Sequence, residues 1–338
     1  MDIIDLKPQR VWKHFYSLTR IPRPSKKEEK IRAFLAEYGK KLGLETIVDE
    51  IGNVIIRKPA TPGMENRKGI ILQAHMDMVP QKNNATRHDF EKDPIIPRIE
   101  GEWVYATGTT LGADNGMGVA AAMAVLEADD LQHGPVEVLI TTDEETGMTG
   151  ARGLKAGVLK GDILLNLDSE DEGELYVGCA GGEDGSFEME YTPVSIPAGW
   201  EAAHINVTGL KGGHSGMDII LGRGNANRIM VRILYHLMEK SDIGIAAVEG
   251  GNLRNAIPRE ADAVICYDPA NKDSIKALTD EMAGIIATEL KLVDPGLEVT
   301  LKLCDKPNDM IPGDVALKII RAVYAAPNGV WAMSASMP

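Results

Sequence analysis

The sequence predicts an α/β protein, a mostly parallel sheet with chemistry gathered at its strand ends, followed by a second domain of α+β type. Three observations carry this. Apolar, β-rich runs break abruptly into acids or a histidine: residues 69–80 (GIILQAHMDMVP), 136–142 (VEVLITT, then Asp143-Glu144-Glu145) and 163–167 (ILLNL, then Asp168). Strand-like and helical segments alternate to about Ala180, as expected for a mostly parallel sheet covered on both faces. The pattern then changes from Gly185 onward, and 338 residues exceed what one compact core usually holds. The expected domains are 1–184 and 185–338.

Taken in order, Pro22 and Pro24 mark a loop, and Ser25 with Glu28 forms a capping-box signal for a helix over 26–42. Ile31, Phe34, Leu35 and Tyr38 place an apolar stripe on that helix. Gly112-Ala113-Asp114-Asn115-Gly116 precedes an alanine-rich stretch, 117–128, that reads as a buried helix. Beyond Gly185, strands are expected at 187–191 and 201–207, then a helix over 225–240 with Ile229, Ile233 and Leu237 spaced by four. Extended runs at 245–248 and 261–267, a helix over 274–290 and a strand at 297–303 complete a βαββαβ order, the pattern of helices laid on an antiparallel sheet.

Composition narrows the function. Apolar residues make up 44% and charged residues 25%, ordinary for a globular protein. The formal charge of −14 argues against nucleic-acid binding, which needs clustered Lys and Arg. Residues 1–10 are mixed and charged, unlike a signal peptide, and no apolar run reaches the ~20 residues that span a bilayer, so a cytoplasmic location without membrane partners is expected. Cys179, Cys266 and Cys304 are far apart and odd in number, which indicates buried thiols rather than a disulfide framework or thiolate zinc site. Trp103 and Trp331 read as packing residues.

The strand ends carry the chemistry. On extended backbone, residues two apart share a face, so His75 and Asp77 reach one point while Met76 turns away. Asp77 either fixes the imidazole or steadies a neighbouring acid. Sites in open α/β sheets lie outside the carboxyl ends of the strands, which groups His75, Asp114, Glu145 and Asp168 as ligands with Asp77 and Glu144 beside them. So many carboxylates cannot crowd one pocket as anions unless some are protonated or cations hold them together. One imidazole with several carboxylates suits Zn²⁺ or Mn²⁺ better than Ca²⁺, and a bridging carboxylate suits a metal pair. Glu144 and Glu145 diverge from adjacent positions, so one can bind metal while the other takes a proton from an attacking water. A two-metal hydrolase is the physical inference.

These residues, and the words HMDMVPQKN, TGTTLGADNGMG and LLNLDSEDEGELYVGCAGG around them, resemble the M20 metallopeptidases and, within them, the aminoacyl-histidine (Xaa-His) dipeptidases. The likeness runs across essentially the whole chain. It implies a co-catalytic pair of zinc ions, with Mn²⁺ or Co²⁺ as substitutes. His75 and Asp168 would bind one zinc, Glu145 the other, and Asp114 both, while Glu144 would be the general base and Asp77 its supporting neighbour. The implied reaction is hydrolysis of short unblocked dipeptides, Xaa-His and β-alanyl-histidine among them, without a covalent intermediate. His214, in Gly212-Gly213-His214-Ser215-Gly216, corresponds to a lid-domain histidine that stabilises the oxyanion, in many relatives across a dimer. Asn255 corresponds to a substrate-contacting lid residue, and a homodimer is implied.

One departure stands out. The family's fifth ligand is a histidine near the C-terminus, and here the last histidine is His236. The expectation is that the returning strands of the catalytic sheet, the end of the lid and this ligand are missing, leaving apolar edges uncovered. Two other readings stay open: an M20 aminopeptidase or amidohydrolase acting on tripeptides or N-acyl amino acids, and an inactive metal-binding scaffold.

Overall fold

In the computed structural model, residues 2–169, 171–176, 178 and 181–333 are described, and the chain divides into two compact units, Met1–Gly182 and Glu183–Pro338. The first unit runs α1 (Gln9–Thr19), α2 (Glu29–Lys41), β1 (Glu45–Val48), β2 (Val54–Lys58), β3 (Ile70–His75), β4 (Pro97–Glu100), β5 (Trp103–Ala106), α3 (Ala113–Glu127), β6 (Val136–Thr141), α4 (Thr149–Gly153) and β7 (Ile163–Asn166). Its main sheet has the order β1-β2-β6-β3-β7. The ladders β3–β6 and β3–β7 are parallel, whereas β1–β2 and β2–β6 are antiparallel, so the sheet is mixed rather than mostly parallel. The reason lies in the connection from Asp49 to Asn53, which is too short for a crossover and forces a hairpin.

Burial of one sheet face drives the assembly. Val54, Ile56, Ala74, Val138 and Ile140 meet Phe15 and Leu18 of α1, Ile31 and Leu35 of α2, and Val119, Ala122, Met123 and Leu126 of α3. Each fully buried Leu or Ile contributes about 2 kcal/mol before chain entropy is counted. The opposite face is covered more thinly, with Ile55, Ile71 and Leu139 under Leu154, Val158 and Leu159. The outermost strand β7 leaves Ile163, Leu164 and Leu165 exposed.

Helix α2 starts at Glu29, later than the capping box suggests. Lys26 lies in the left-handed region (φ 66°), which no helix tolerates, and the Ser25 hydroxyl bonds to Asp77 (2.8 Å) instead of capping its own helix. The Trp103 side chain, on the β4–β5 hairpin, is 69% exposed and does not pack, nor does Trp331.

The second unit contains β8 (Val194–Ser195), β9 (Glu201–Thr208), β10 (Gly213–His214), α5 (Ala226–Lys240), β11 (Ile243–Gly250), β12 (Ala256–Ile257), β13 (Ala261–Tyr267), α6 (Lys272–Leu290), β14 (Glu298–Cys304), β15 (Asp309–Met310) and α7 (Gly313–Ala325). A four-stranded antiparallel sheet, β11-β13-β9-β14, carries α5, α6 and α7 on one face. Asn225 caps α5 by accepting from the Arg228 amide, and Ile229, Ile233 and Leu237 are buried as their spacing predicts. Residues 187–191 form no strand: Phe187 is 98% exposed, and these residues have no ladder partner among the described residues, so alternation alone cannot hold them extended. Cys266 is buried, Cys304 is exposed at the end of edge strand β14, and Cys179 lies outside the described residues. No helix among the described residues is long and apolar enough to cross a membrane.

One polar network ties the first sheet together. Glu137 on β6 sits opposite Arg57 on β2 and bonds to its Nε (2.9 Å), while its other oxygen accepts from the Lys160 and Gly161 amides (2.6 Å each). Burial alone would raise the Glu137 pKa, but Arg57 and the two amides outweigh it and hold the carboxyl below its ordinary value. A lowered folded-state pKa stabilises the protein fully above the unfolded value and progressively less as the pH falls through the folded one. Glu137→Gln is therefore expected to cost about 2 kcal/mol at neutral pH. Urea melts should show the gap from wild type narrowing below about pH 4.3, and a gap independent of pH would refute the assignment.

Candidate metal centre

Parallel pairing puts the ends of three strands at one edge. His75 at the end of β3 is in register with Thr141 at the end of β6, and Gln73 with Asn166 at the end of β7. The Met76 amide donates to Thr141 O (2.9 Å) and the Leu167 amide to Gln73 O (2.8 Å), so both ladders continue one step past the strands. Asp143–Glu145 and Asp168 therefore emerge beside His75. Asp114 arrives from another direction, after a left-handed Gly112 (φ 71°) that turns the chain into α3. Asn115 fixes that turn to the third strand, with Nδ2 donating to Leu167 O (2.9 Å) and Asp168 Oδ1 (2.5 Å). Gly118 has no room for a Cβ, which would meet Leu167 O at 2.9 Å.

The result is a buried imidazole facing acids. His75 Nε2 is 2.9 Å from Asp114 Oδ1, 3.5 Å from Asp168 Oδ1 and 4.0 Å from Glu144 Oε2, and only 1% of its side chain is exposed. Two groups of three side chains bring a possible ligand atom each within 4.8 Å of one another: His75, Asp114 and Asp168, and Glu28, Asp77 and Asp143. Glu145, expected as a ligand, is not in the first group, although it lies near enough to Asp114 for the two charges to interact.

The second group is built differently. All three of its side chains are buried. Asp77 accepts from the amides of Glu144 (3.0 Å) and Glu145 (3.2 Å) and from the Ser25 hydroxyl, and Glu28 Oε1 accepts from the amides of Lys26 (2.9 Å) and Asp143 (3.1 Å). The Asp143 carboxylate accepts from the Thr146 and Thr149 hydroxyls. Protein donors thus occupy these oxygens, and the group serves as a hydrogen-bonded floor beneath the first. Asp77 also approaches His75 Nδ1 at 3.2 Å from the side opposite Nε2, though off the line of a good hydrogen bond.

Electrostatics favour added positive charge. Burial would make His75 neutral, yet Asp114, Asp168 and Asp77 overcome this and push its pKa up to about 12. Burial and the Asp114 charge push Glu145 up to about 8, and burial also raises Glu144. Buried Glu145 Oε1 has no hydrogen-bond partner among the described residues. The His75 imidazole with the Asp114 and Asp168 carboxylates forms a donor set that a divalent cation would satisfy, with the orphaned Glu145 oxygen as a further donor beside it.

Sequence reasoning passed over Arg23 and took Glu28 only as part of a helix cap. Arg23 is buried at the rear of the site, donating to the carbonyls of Met76 (3.0 Å), Asp77 (2.8 Å) and Gly112. The signal available was an arginine between two prolines, which says nothing about burial.

In the second unit, His214 and Asn255 are brought together. Strands β10 and β12 pair with His214 opposite Ala256, and the Ser215 amide donates to Asn255 O (2.9 Å). His214 Nδ1 accepts from the amides of Gly216 (3.1 Å) and Met217 (3.2 Å), an assignment that leaves the neutral ring's proton on Nε2. Gly213 (φ 148°) is required because a Cβ there would strike Asp218 and Arg223.

Comparison with known proteins gives the family. Residues 71–323 match peptidase family M20/M25/M40. The chain is 47% identical over 336 residues to the cytosol non-specific dipeptidase of Escherichia coli K12, covering 97% of this chain and 68% of that protein. The crystal structure of the aminoacylhistidine dipeptidase from Vibrio alginolyticus is also 47% identical, with a TM-score of 0.55, over 99% of this chain and 68% of that one. A peptidase T-like protein of Yersinia pestis is 33% identical over 175 residues, 44% of this chain and 42% of that protein. A match reaching across both units, joined to near-half identity along nearly the whole chain, places this protein in peptidase family M20/M25/M40.

Proposed function

We propose that the protein is a metal-dependent dipeptidase, cleaving short unblocked dipeptides with Xaa-His among its substrates. The observation that carries this is the 47% identity, over 97% of the chain, to an E. coli dipeptidase, joined to a cluster of His75, Asp114 and Asp168 at the strand ends. The E. coli relative is named non-specific and the Vibrio relative aminoacylhistidine, so the dipeptide is the shared substrate and a C-terminal histidine one member of a wider set.

His75 Nε2 with Asp168 would hold one cation, Glu145 a second, and Asp114 both; the mixed nitrogen and oxygen donors favour zinc. Cations held there supply Lewis acidity, polarising the scissile carbonyl and lowering the pKa of water. Glu144, half-buried with its pKa raised, is suited to accept a proton from the attacking water and return it to the leaving amine. Asp77 holds the amides of both Glu144 and Glu145, which sends their side chains to separate tasks. The oxyanion role implied for His214 needs a proton on Nε2, and the two amides that donate to Nδ1 favour that placement.

Zinc-loaded protein is expected to hydrolyse Xaa-His and other dipeptides faster than tripeptides or N-acyl amino acids; a preference for tripeptides would overturn the assignment. Glu144→Ala should lower kcat by about 10²–10⁴-fold while zinc content by elemental analysis stays at the wild-type level. Activity that survives the change removes Glu144 from its role. With His75 up at about 12 and Glu145 at about 8, both are protonated near neutrality, and ligands must lose their protons to bind. Zinc binding should therefore release protons, seen calorimetrically in buffers of different ionisation enthalpy, and tighten as the pH rises between about 6 and 9.

A further inference from the structure

We propose that Arg23 is a positioning residue for metal binding: its guanidinium clasps the end of the strand bearing His75 and the turn bearing Asp114, and so fixes the separation of these two ligands. The inference rests on the metal-dependent reading above. Its own ground is geometric. Arg23 is 3% exposed, and its donors go to main-chain carbonyls rather than to a carboxylate. Nη1 serves Met76 O and Asp77 O, one and two residues past His75, and Nη2 serves Gly112 O, two residues before Asp114. Further along, Thr110 bonds to Gln81 and Val79, and the ligands themselves meet through His75 Nε2 and Asp114 Oδ1, but among the described residues only the guanidinium ties the main chain of Met76–Asp77 to that of Gly112.

A planar fork with five donors suits this task, whereas an ammonium on a flexible stem cannot hold three carbonyls in a fixed arrangement. The backbone is shaped to admit it. A Cβ on Gly112 or on Gly116 would come within 2.6 Å of Nη2, so both positions must lack a side chain for the guanidinium to lie where it does. A burial this complete is costly for a permanent charge, and neighbouring Asp77, Asp114 and Glu145 supply the compensating negative charge. Arg23 reaches no ligand oxygen with a hydrogen bond, so it acts through the main chain of the segments that carry them.

The test measures zinc affinity of the full chain by competition with a chromogenic chelator, with circular dichroism confirming the fold. Arg23→Lys keeps the charge and removes the fork. Gly116→Ala keeps Arg23 and displaces its Nη2, the new Cβ also coming within 3.0 Å of the Phe15 ring, which must give by a few tenths of an ångström. Glu137→Gln weakens the same sheet away from the site and controls for general destabilisation. Expected is a loss of zinc affinity of about 10–100-fold in Arg23→Lys and in Gly116→Ala, with Glu137→Gln binding as wild type does. Should either of the first two bind zinc as tightly as wild type, or should Glu137→Gln lose as much, the positioning role is wrong. A wild-type chain that takes up no zinc overturns the metal-dependent reading and this inference together, whereas a zinc-binding wild type with unaffected variants overturns this inference alone.

Discussion

The site depends on one buried carboxylate. Asp77 has no solvent exposure, and its oxygens accept from the amides of Glu144 and Glu145 and from the Ser25 hydroxyl. Those bonds join the chain leaving β3 to the chain leaving β6 and to the loop before α2. An ionised carboxylate in such a place is tolerable only with several donors around it; burial alone would raise its pKa, but His75 first, then the Glu144 amide and the Ser25 hydroxyl, hold it below the ordinary value. Without Asp77, the two glutamates would sit on an untethered loop, and His75 would lose the acid behind its Nδ1.

Above this floor lies an electrostatic imbalance that folding alone does not favour. Asp114, Glu144, Glu145 and Asp168 converge on one imidazole, with Arg23 the buried cation behind them. The chain answers by holding protons where free side chains would have lost them, on His75 and on Glu145. A local arrangement that costs stability and is relieved by a cation is the physical mark of a functional site rather than a packing accident.

How much of this is legible in sequence depends on the range of the interaction. The ends of β3, β6 and β7 can be read because apolar runs that stop at acids are local features, and the parallel register that aligns them follows from the intervening helix. The βαββαβ order of the second unit is legible for the same reason. What sequence conceals is long-range. Ser25 has a capping partner in sequence but a better one in Asp77, fifty-two residues away. Arg23 carries no sequence signal, and its role shows only where three carbonyls from two distant segments close around it. His214 and Asn255 carry family motifs, but only the short β10–β12 pairing makes them neighbours. Residues 187–191 alternate as a strand should and still have no ladder partner among the described residues.

The parallel ladder between β3 and β6 also makes the site a matter of counting. In a strand, a shift of one residue turns every side chain to the opposite face. His75 and its neighbour Met76 are both buried, the first among carboxylates and the second in the apolar core with Val138 and Ile140. A single inserted residue in β3 would exchange them, placing a thioether before the acids and an imidazole in hydrocarbon. The length of this strand is thus as much a part of the chemistry as the identity of any ligand, and insertions that a loop would absorb without effect are here equivalent to deleting the histidine.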